Sequence, residues 1–436
     1  MDNTRSVSDE NTMKTYKRRY FILMLLCASI FTSAFQIYEQ SSIGDVIIKY
    51  YGVTYLAVSW TAIMDTIPNI FLFYPLGKFI NYYGLRKTML LATFLCAIGS
   101  IIKCTALNRD HYWLLIIAKI APCFLNVVFF YLAPVLGATW FKPSEAGLVI
   151  GTFNAAFSLG AASTFILPLL FENENVEKTK ILFLTLSLLC VFIYATLVFL
   201  TILIVVDQPP SPPSLAAKKR SETKKLPFKV LITNRNFVLV TLISFFVLGL
   251  TQALPISLNQ SILSNFKGNE NILSLAGTLY LISKLFGGFI SPAIARKYPK
   301  YKILLLFHLI LTLIFTFLYL LSLLISLEWL LYSSITALGI VFSGFIVLII
   351  DYAVEVSFPF PESISISVIS MAFSLSALIL TQLITILAEH LNTLSSYFVF
   401  VLVQSIAILL LMFLTREMRR HEANRDENEN ELKLNV

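Results

Sequence analysis

Charge clusters and turn residues divide this chain into about a dozen apolar stretches, most of them long enough to cross a bilayer core of roughly 30 Å at 1.5 Å per residue. Such stretches cannot be assembled into a water-facing surface. Of 436 residues, 57% are hydrophobic and only 13% charged, whereas a soluble domain carries about a quarter charged residues. The mean hydropathy is +0.79. A soluble enzyme, a disordered chain and a nucleic-acid-binding domain are excluded together. An all-α membrane protein is expected, because runs of this length satisfy their backbone within lipid only as helices.

The pattern predicts a polar tail over 1–19, six spans over 20–206, a linker over 207–235, six spans over 236–414 and a second polar tail over 415–436. The first run, from Tyr20, is too long for a signal-peptide core and lacks a small-residue cleavage site, so it reads as a retained span behind Lys17, Arg18 and Arg19. The second span is expected over Tyr55 to Leu76. The linker begins near PPSPP and carries Lys218, Lys219, Arg220, Lys224 and Lys225. With both termini cytoplasmic, 25 of the 33 Lys and Arg lie inside and five outside, which the positive-inside rule favours. The +8 net charge therefore reports topology and implies no nucleic-acid partner. Twelve spans in two pseudo-symmetric six-helix bundles are what halves rocking around a midplane site would require. The five cysteines fall inside apolar runs without ligand spacing, so they read as packing residues, with no metal or cofactor expected.

The loop after the second span, Gly77-Lys78-Phe79-Ile80-Asn81-Tyr82-Tyr83-Gly84-Leu85-Arg86-Lys87, resembles the G-x-x-x-D-R-x-G-R-R loop of the major facilitator superfamily, with Asn81 in place of the acid. Gly287-Gly288-Phe289-Ile290 through Arg296-Lys297 is a weaker equivalent in the second half. An ordered series of further segments resembles the feline leukaemia virus subgroup C receptor family of that superfamily. The series is Ala34-Phe35-Gln36, Tyr51-Gly52-Val53-Thr54 with Trp60, Ile102-Lys103-Cys104, Trp140-Phe141-Lys142-Pro143-Ser144-Glu145, Asn236-Phe237-Val238-Leu239, Leu258-Asn259-Gln260 and Ala353-Val354-Glu355 with Pro359 and Glu362.

That resemblance implies a transporter, with choline, ethanolamine or haem-related solutes as the family's associations. In choline-carrying members it implies a cage of a Trp, a Tyr and two Gln around the quaternary ammonium. Those positions fall here on Ile37, Gln252, Ser158 and Ser374, so all four depart. Loss of both aromatics removes a cation–π attraction of about 2 kcal/mol for a desolvated cation. Tyr38, Phe35, Trp60 or Phe245 could rebuild a cage only from neighbouring faces.

Polar stripes recur in the first span (Ser29, Ser33, Gln36, Gln40), the fourth (Lys119, Cys123, Asn126), the seventh (Phe245, Gln252, Asn259) and the tenth (Thr336, Ser343). Each reads as cavity lining or as helix-to-helix hydrogen bonding. Gln36, Ile37, Asn126, Ser158, Gln252, Asn259 and Ser374 are the candidate solute contacts. Full charges inside spans cost about 3 kcal/mol if unpaired and lipid-facing. Asp65 and Lys119, close in depth, are read as an ion pair or coupling site. Lys284 has no acid at its own level and either attracts an anionic group or snorkels into a cavity. Lys103, one turn from a span end, is expected to snorkel. Arg86 and Lys87 face Asp351, Glu355 and Glu362 as a candidate cytoplasmic latch, with ordinary solvated loop charge as the alternative.

The expectation is a secondary active or facilitative transporter of a small polar metabolite, embedded in the lipid bilayer as a monomer, in the plasma membrane before an internal one. No enzyme or ATP-driven motif is present. The alternatives are a non-transporting receptor or scaffold, or a carrier for an unrelated nucleotide, sugar or vitamin.

Overall fold

A computed structural model of the chain describes residues 16–64, 66–141, 146–171, 176–209, 231, 233–266, 269–298, 300–357 and 362–415. Asp65, most of the linker and most of both tails lie outside the described residues. In chain order the α-helices are α1 (Arg18–Ser42), α2 (Gly44–Tyr51), α3 (Tyr55–Ile63), α4 (Thr66–Thr105), α5 (Tyr112–Trp140), α6 (Ala146–Ser163), α7 (Leu167–Leu170) and α8 (Val176–Ile204). The second half contains α9 (Arg235–Asn265), α10 (Glu270–Lys297), α11 (Tyr301–Leu324), α12 (Glu328–Ser357), α13 (Glu362–His390) and α14 (Thr393–Met412). No strand occurs among the described residues.

Local chemistry sets several helix starts. The side chains of Thr54, Asn234, Asn269 and Asn392 accept from backbone N–H groups at the first turns of α3, α9, α10 and α14, which satisfies donors that a helix leaves open. Gly52 closes α2 in the left-handed region at φ 68°.

Eleven described helices are long and apolar enough to cross a membrane. The remaining crossing is α3 followed by the first part of α4. Its polar residues, including Thr61, Thr66 and Asn69, dilute the apolar signal that marks the others. The α4 helix then turns at Gly84 (φ 80°, ψ 178°) into the third span. A β-carbon at Gly84 would lie 2.5 Å from an Asp207 oxygen, so both the backbone angle and the available space require glycine.

Helix neighbours repeat between the halves. Span one packs on span five (α1 on α6) as span seven packs on span eleven (α9 on α13). The α4–α5 and α4–α8 pairs correspond to α10–α12 and α11–α14. The halves meet where α3 and α4 touch α13 and where α6 touches α10, again as two equivalent crossings. Glycines permit the closest approaches: a β-carbon at Gly160 would lie 2.2 Å from the Phe31 carbonyl oxygen, and one at Gly287 1.9 Å from that of Ile340. The largest apolar cluster runs from the second half into Ala34, Ile37, Tyr38 and Phe165 of the first, so the inner face of α1 is continuous with the opposite bundle.

Candidate functional site

The end of the bundle that the charge distribution leads one to expect on the outside holds polar contacts between the halves. Tyr38 of α1 donates its hydroxyl to Oε1 of Gln252 on α9 at 2.8 Å. Asn259, about two turns further along α9, donates to the Ser42 carbonyl at 2.9 Å and to Asp45 Oδ1 at 3.0 Å, and accepts from the Asp45 backbone N–H at 3.2 Å. These bonds meet the break between α1 and α2. Ser59 of α3 donates to Gln382 of α13 at 3.1 Å. Between them lies a narrow cleft lined by residues such as Gly44, Tyr55, Ser59, Asn259 and Thr385. Asn259 is 2% exposed with both amide atoms engaged. In this conformation it clamps the halves together and is not open to a solute.

The α1 stripe turns largely into its own half. Ser29 bonds back to the Leu25 carbonyl at 2.8 Å, Ser33 donates to the Pro122 carbonyl on α5 at 2.9 Å, and Gln36 donates to Ser100 on α4 at 3.0 Å. Gln36, read as cavity lining or inter-helix bonding, is thus bonded within its own half, while Ile37 and Tyr38 pack against the other half. Lys119 of α5 donates to the carbonyls of Gln36 and Ile37, the latter at 2.8 Å. The expected partner of Lys119, Asp65, lies outside the described residues.

Lys103 corrects the snorkelling expectation. It is 9% exposed and forms an ion pair with Glu39 of α1, itself 4% exposed. Beside the pair is a narrow cavity with about 20 Å³ of space for water, lined by Gln40, Tyr51 and Ser187 among mostly apolar side chains. Both amide atoms of Gln40 and one Glu39 oxygen are buried without hydrogen-bond partners. Outside the spans, burial pushes the Tyr51 phenol well above its ordinary range, so it remains a donor, to the Ala106 carbonyl at 2.8 Å. Glu39 was missed in the sequence because it sits between Gln36 and Gln40 on a stripe that already read as polar. Its partner is 64 residues away on another helix.

The four positions that the family cage would occupy do not form one. Ile37 is fully buried in the apolar cluster between the halves, Gln252 is held by Tyr38, Ser158 is half-buried, and Ser374 is buried with an unpartnered hydroxyl. The aromatics that could replace it are dispersed. Tyr38 stacks edge-on with Phe157, Phe245 pairs with Phe246, Phe35 packs into the outer cluster of the first half, and Trp60 is 41% exposed. Asn126 is buried within α5.

Lys284 lies at the middle of α10, roughly 20 Å from either end at 1.5 Å per residue. Its Nζ is 5.5 Å from the centre of the Tyr280 ring, and Tyr280 donates to the Thr251 carbonyl at 3.2 Å. No acid pairs with it among the described residues. At the opposite end, Arg86 stays within its own half: its guanidinium donates to the Ile202 carbonyl at 2.8 Å, and its backbone N–H donates to Asp207 at 2.8 Å. Lys87 and Asp351 are exposed, Glu355 is half-buried, and Glu362 opens α13. His308 is 7% exposed and bonds Ser291 at 2.9 Å and the Leu304 carbonyl at 2.8 Å. No cluster suited to a metal occurs among the described residues.

Two bundles of membrane-length helices with matching internal packing, meeting through polar contacts, have the architecture of a multi-pass membrane transporter. Residues 21–363 match the family model of the Major Facilitator Superfamily, and the chain belongs to that superfamily. The chain is 24% identical to a Caenorhabditis elegans protein described as an uncharacterized MFS-type transporter, over 94% of this chain and 71% of that one. It is 24% identical to the choline/ethanolamine transporter flvcr2a of Danio rerio, over 96% and 91% of the two chains, and 25% identical to the choline/ethanolamine transporter FLVCR1 of Felis catus, over 93% and 74%. Among solved structures, a bacterial homolog of the human lysosomal transporter Spinster, inward-facing and occupied, superposes with a TM-score of 0.69 at 12% identity, covering 92% of this chain and 98% of that one.

Proposed function

We propose that the protein is a monomeric carrier of a small polar metabolite, in the plasma membrane with both termini cytoplasmic, and that its solute binds between the halves at the level of Tyr38, Gln252 and Lys284. The polar seal at the outer end carries this reading. Hydrogen bonds such as Tyr38 to Gln252 and Asn259 to Ser42 each contribute only about 1 kcal/mol net, so they can break and reform as the halves rock. Ser158 and Ser374 are further solute contacts, and Asn126 and Gln36 support them from within the first half. Lys119 and Asp65 form the coupling pair. Lys87, Asp351, Glu355 and Glu362, with Arg86 holding its own half rigid, form the latch that closes the cytoplasmic end when the outer end opens.

The named relatives carry choline and ethanolamine. Ile37 and Gln252 at the cage positions argue against the same recognition here. Uptake into proteoliposomes of a panel spanning cationic, neutral and anionic solutes tests the reading. Accumulation of at least one, abolished by a disulfide cross-link across the outer end, is the expected result. If no solute crosses, the receptor or scaffold alternative stands.

A further inference from the structure

Lys284 is a cation in the interior of the bundle with no acid paired to it among the described residues. It sits at mid-helix in α10 and is half-buried, and among the described residues its one close electrostatic contact is the Tyr280 ring. Its direction is fixed by the helix. At about 100° per residue, the exposed side chains Leu275, Ile282 and Phe286 lie roughly 160–180° around α10 from Lys284. The lysine therefore points away from the lipid side. Gly277, within about 20° of Lys284 on the helix wheel, points at the first half: a β-carbon there would lie 2.1 Å from the Phe165 ring. Lys284 thus faces the boundary between the bundles, where its partial exposure is to internal space.

The neighbours on the same helix offer no countercharge. Ser283 bonds the Tyr280 carbonyl at 2.8 Å, and Ser291 is taken by His308. An ammonium at this depth is costly unless something of opposite charge arrives, and it repels a quaternary ammonium held nearby. The missing cage and the uncompensated lysine are separate observations, and both count against a cationic solute.

We propose that Lys284 is a substrate-recognition residue and that the solute carries a compact oxyanion, a carboxylate or a phosphate, which docks on its ammonium beside Tyr280. This rests on the carrier reading above and specifies its substrate class. The ligand supplies the negative charge that the fold leaves out, so binding neutralises Lys284 and draws the α10 side of the second half onto the first.

The test uses the purified full chain, with mono- and dicarboxylates and phosphate monoesters as anionic probes, choline and ethanolamine as cationic ones, and uncharged polyols as neutral ones. Thermal stabilisation and proteoliposome uptake are both read. At least one anion is expected to stabilise the protein, with its half-saturating concentration raised tenfold or more by Lys284→Met and largely kept by Lys284→Arg. Lys284→Met is also expected to leave the ligand-free protein at least as stable as the parent, since it removes an uncompensated charge of similar length. The proposal is overturned if no anion stabilises the parent, if the Lys284→Met response to anions equals the parent's, or if Lys284→Met unfolds the empty protein. Uptake of a cation or a neutral solute that ignores Lys284 would defeat the proposal and leave the carrier reading intact. Anion binding through Lys284 without any passage would do the reverse.

Discussion

Removing the Glu39 carboxylate tests whether the first half is built around a buried ion pair. Lys103 is 9% exposed and Glu39 4%, and the surrounding walls include Ile43, Leu107, Leu115 and Phe183. Breaking such a pair from one side leaves a buried charge and costs about 3–5 kcal/mol. The adjoining cavity lets water approach the orphaned ammonium, which places Glu39→Gln near 3 kcal/mol, the low end of that range. Removing both charges as Glu39→Met with Lys103→Met eliminates the desolvation cost and restores apolar packing, so the double variant should recover most of the loss or exceed the parent. Thermal unfolding of the purified parent, both single variants and the double variant closes the cycle. The reasoning is refuted if Glu39→Gln is as stable as the parent, or if the double variant is no better than the worse single one.

Gly287→Ala places a methyl group against the Ile340 backbone and should destabilise the second half by about 1–3 kcal/mol, whereas Gly151→Ala, whose nearest contact would be 3.6 Å away, should be neutral in the same unfolding assay. Asp65→Asn should lower transport and flatten its pH profile if Asp65 and Lys119 couple the cycle; an unchanged rate and profile across pH would remove them from it. Glu355→Gln should shift the population of inward- and outward-open forms, read by distances between labels on the two halves. An unmoved population would reduce that cluster to ordinary surface charge.

The architecture was legible because lipid imposes a simple rule: a 20-residue apolar run must be a helix, and basic loops choose the side. The same rule separates the second and third spans, whereas Gly84 lets α4 continue from one into the other. Periodicity also told which residues of α1 are polar but not which helix they meet. With twelve similar cylinders to choose from, Gln36 could as readily have faced a solute as Ser100. Lys103 was misread because distance to the span end was the only visible cue, while its neutralising partner lies on another helix. The isolation of Lys284 was readable, since its own half offers no acid at that depth, and the three-dimensional arrangement adds the direction in which it points.

The account depends on the outer seal being one of two states. Spin labels at Lys49 and His390, exposed positions on the outer ends of the first and second halves, report the gap directly in proteoliposomes. Two populations of distance are predicted, with the longer one growing when Asn259→Ala weakens the clamp and the balance moving again when the stabilising solute is added. A single distance, unchanged by the clamp variant and by every solute, would contradict the claim that the halves rock around a shared site.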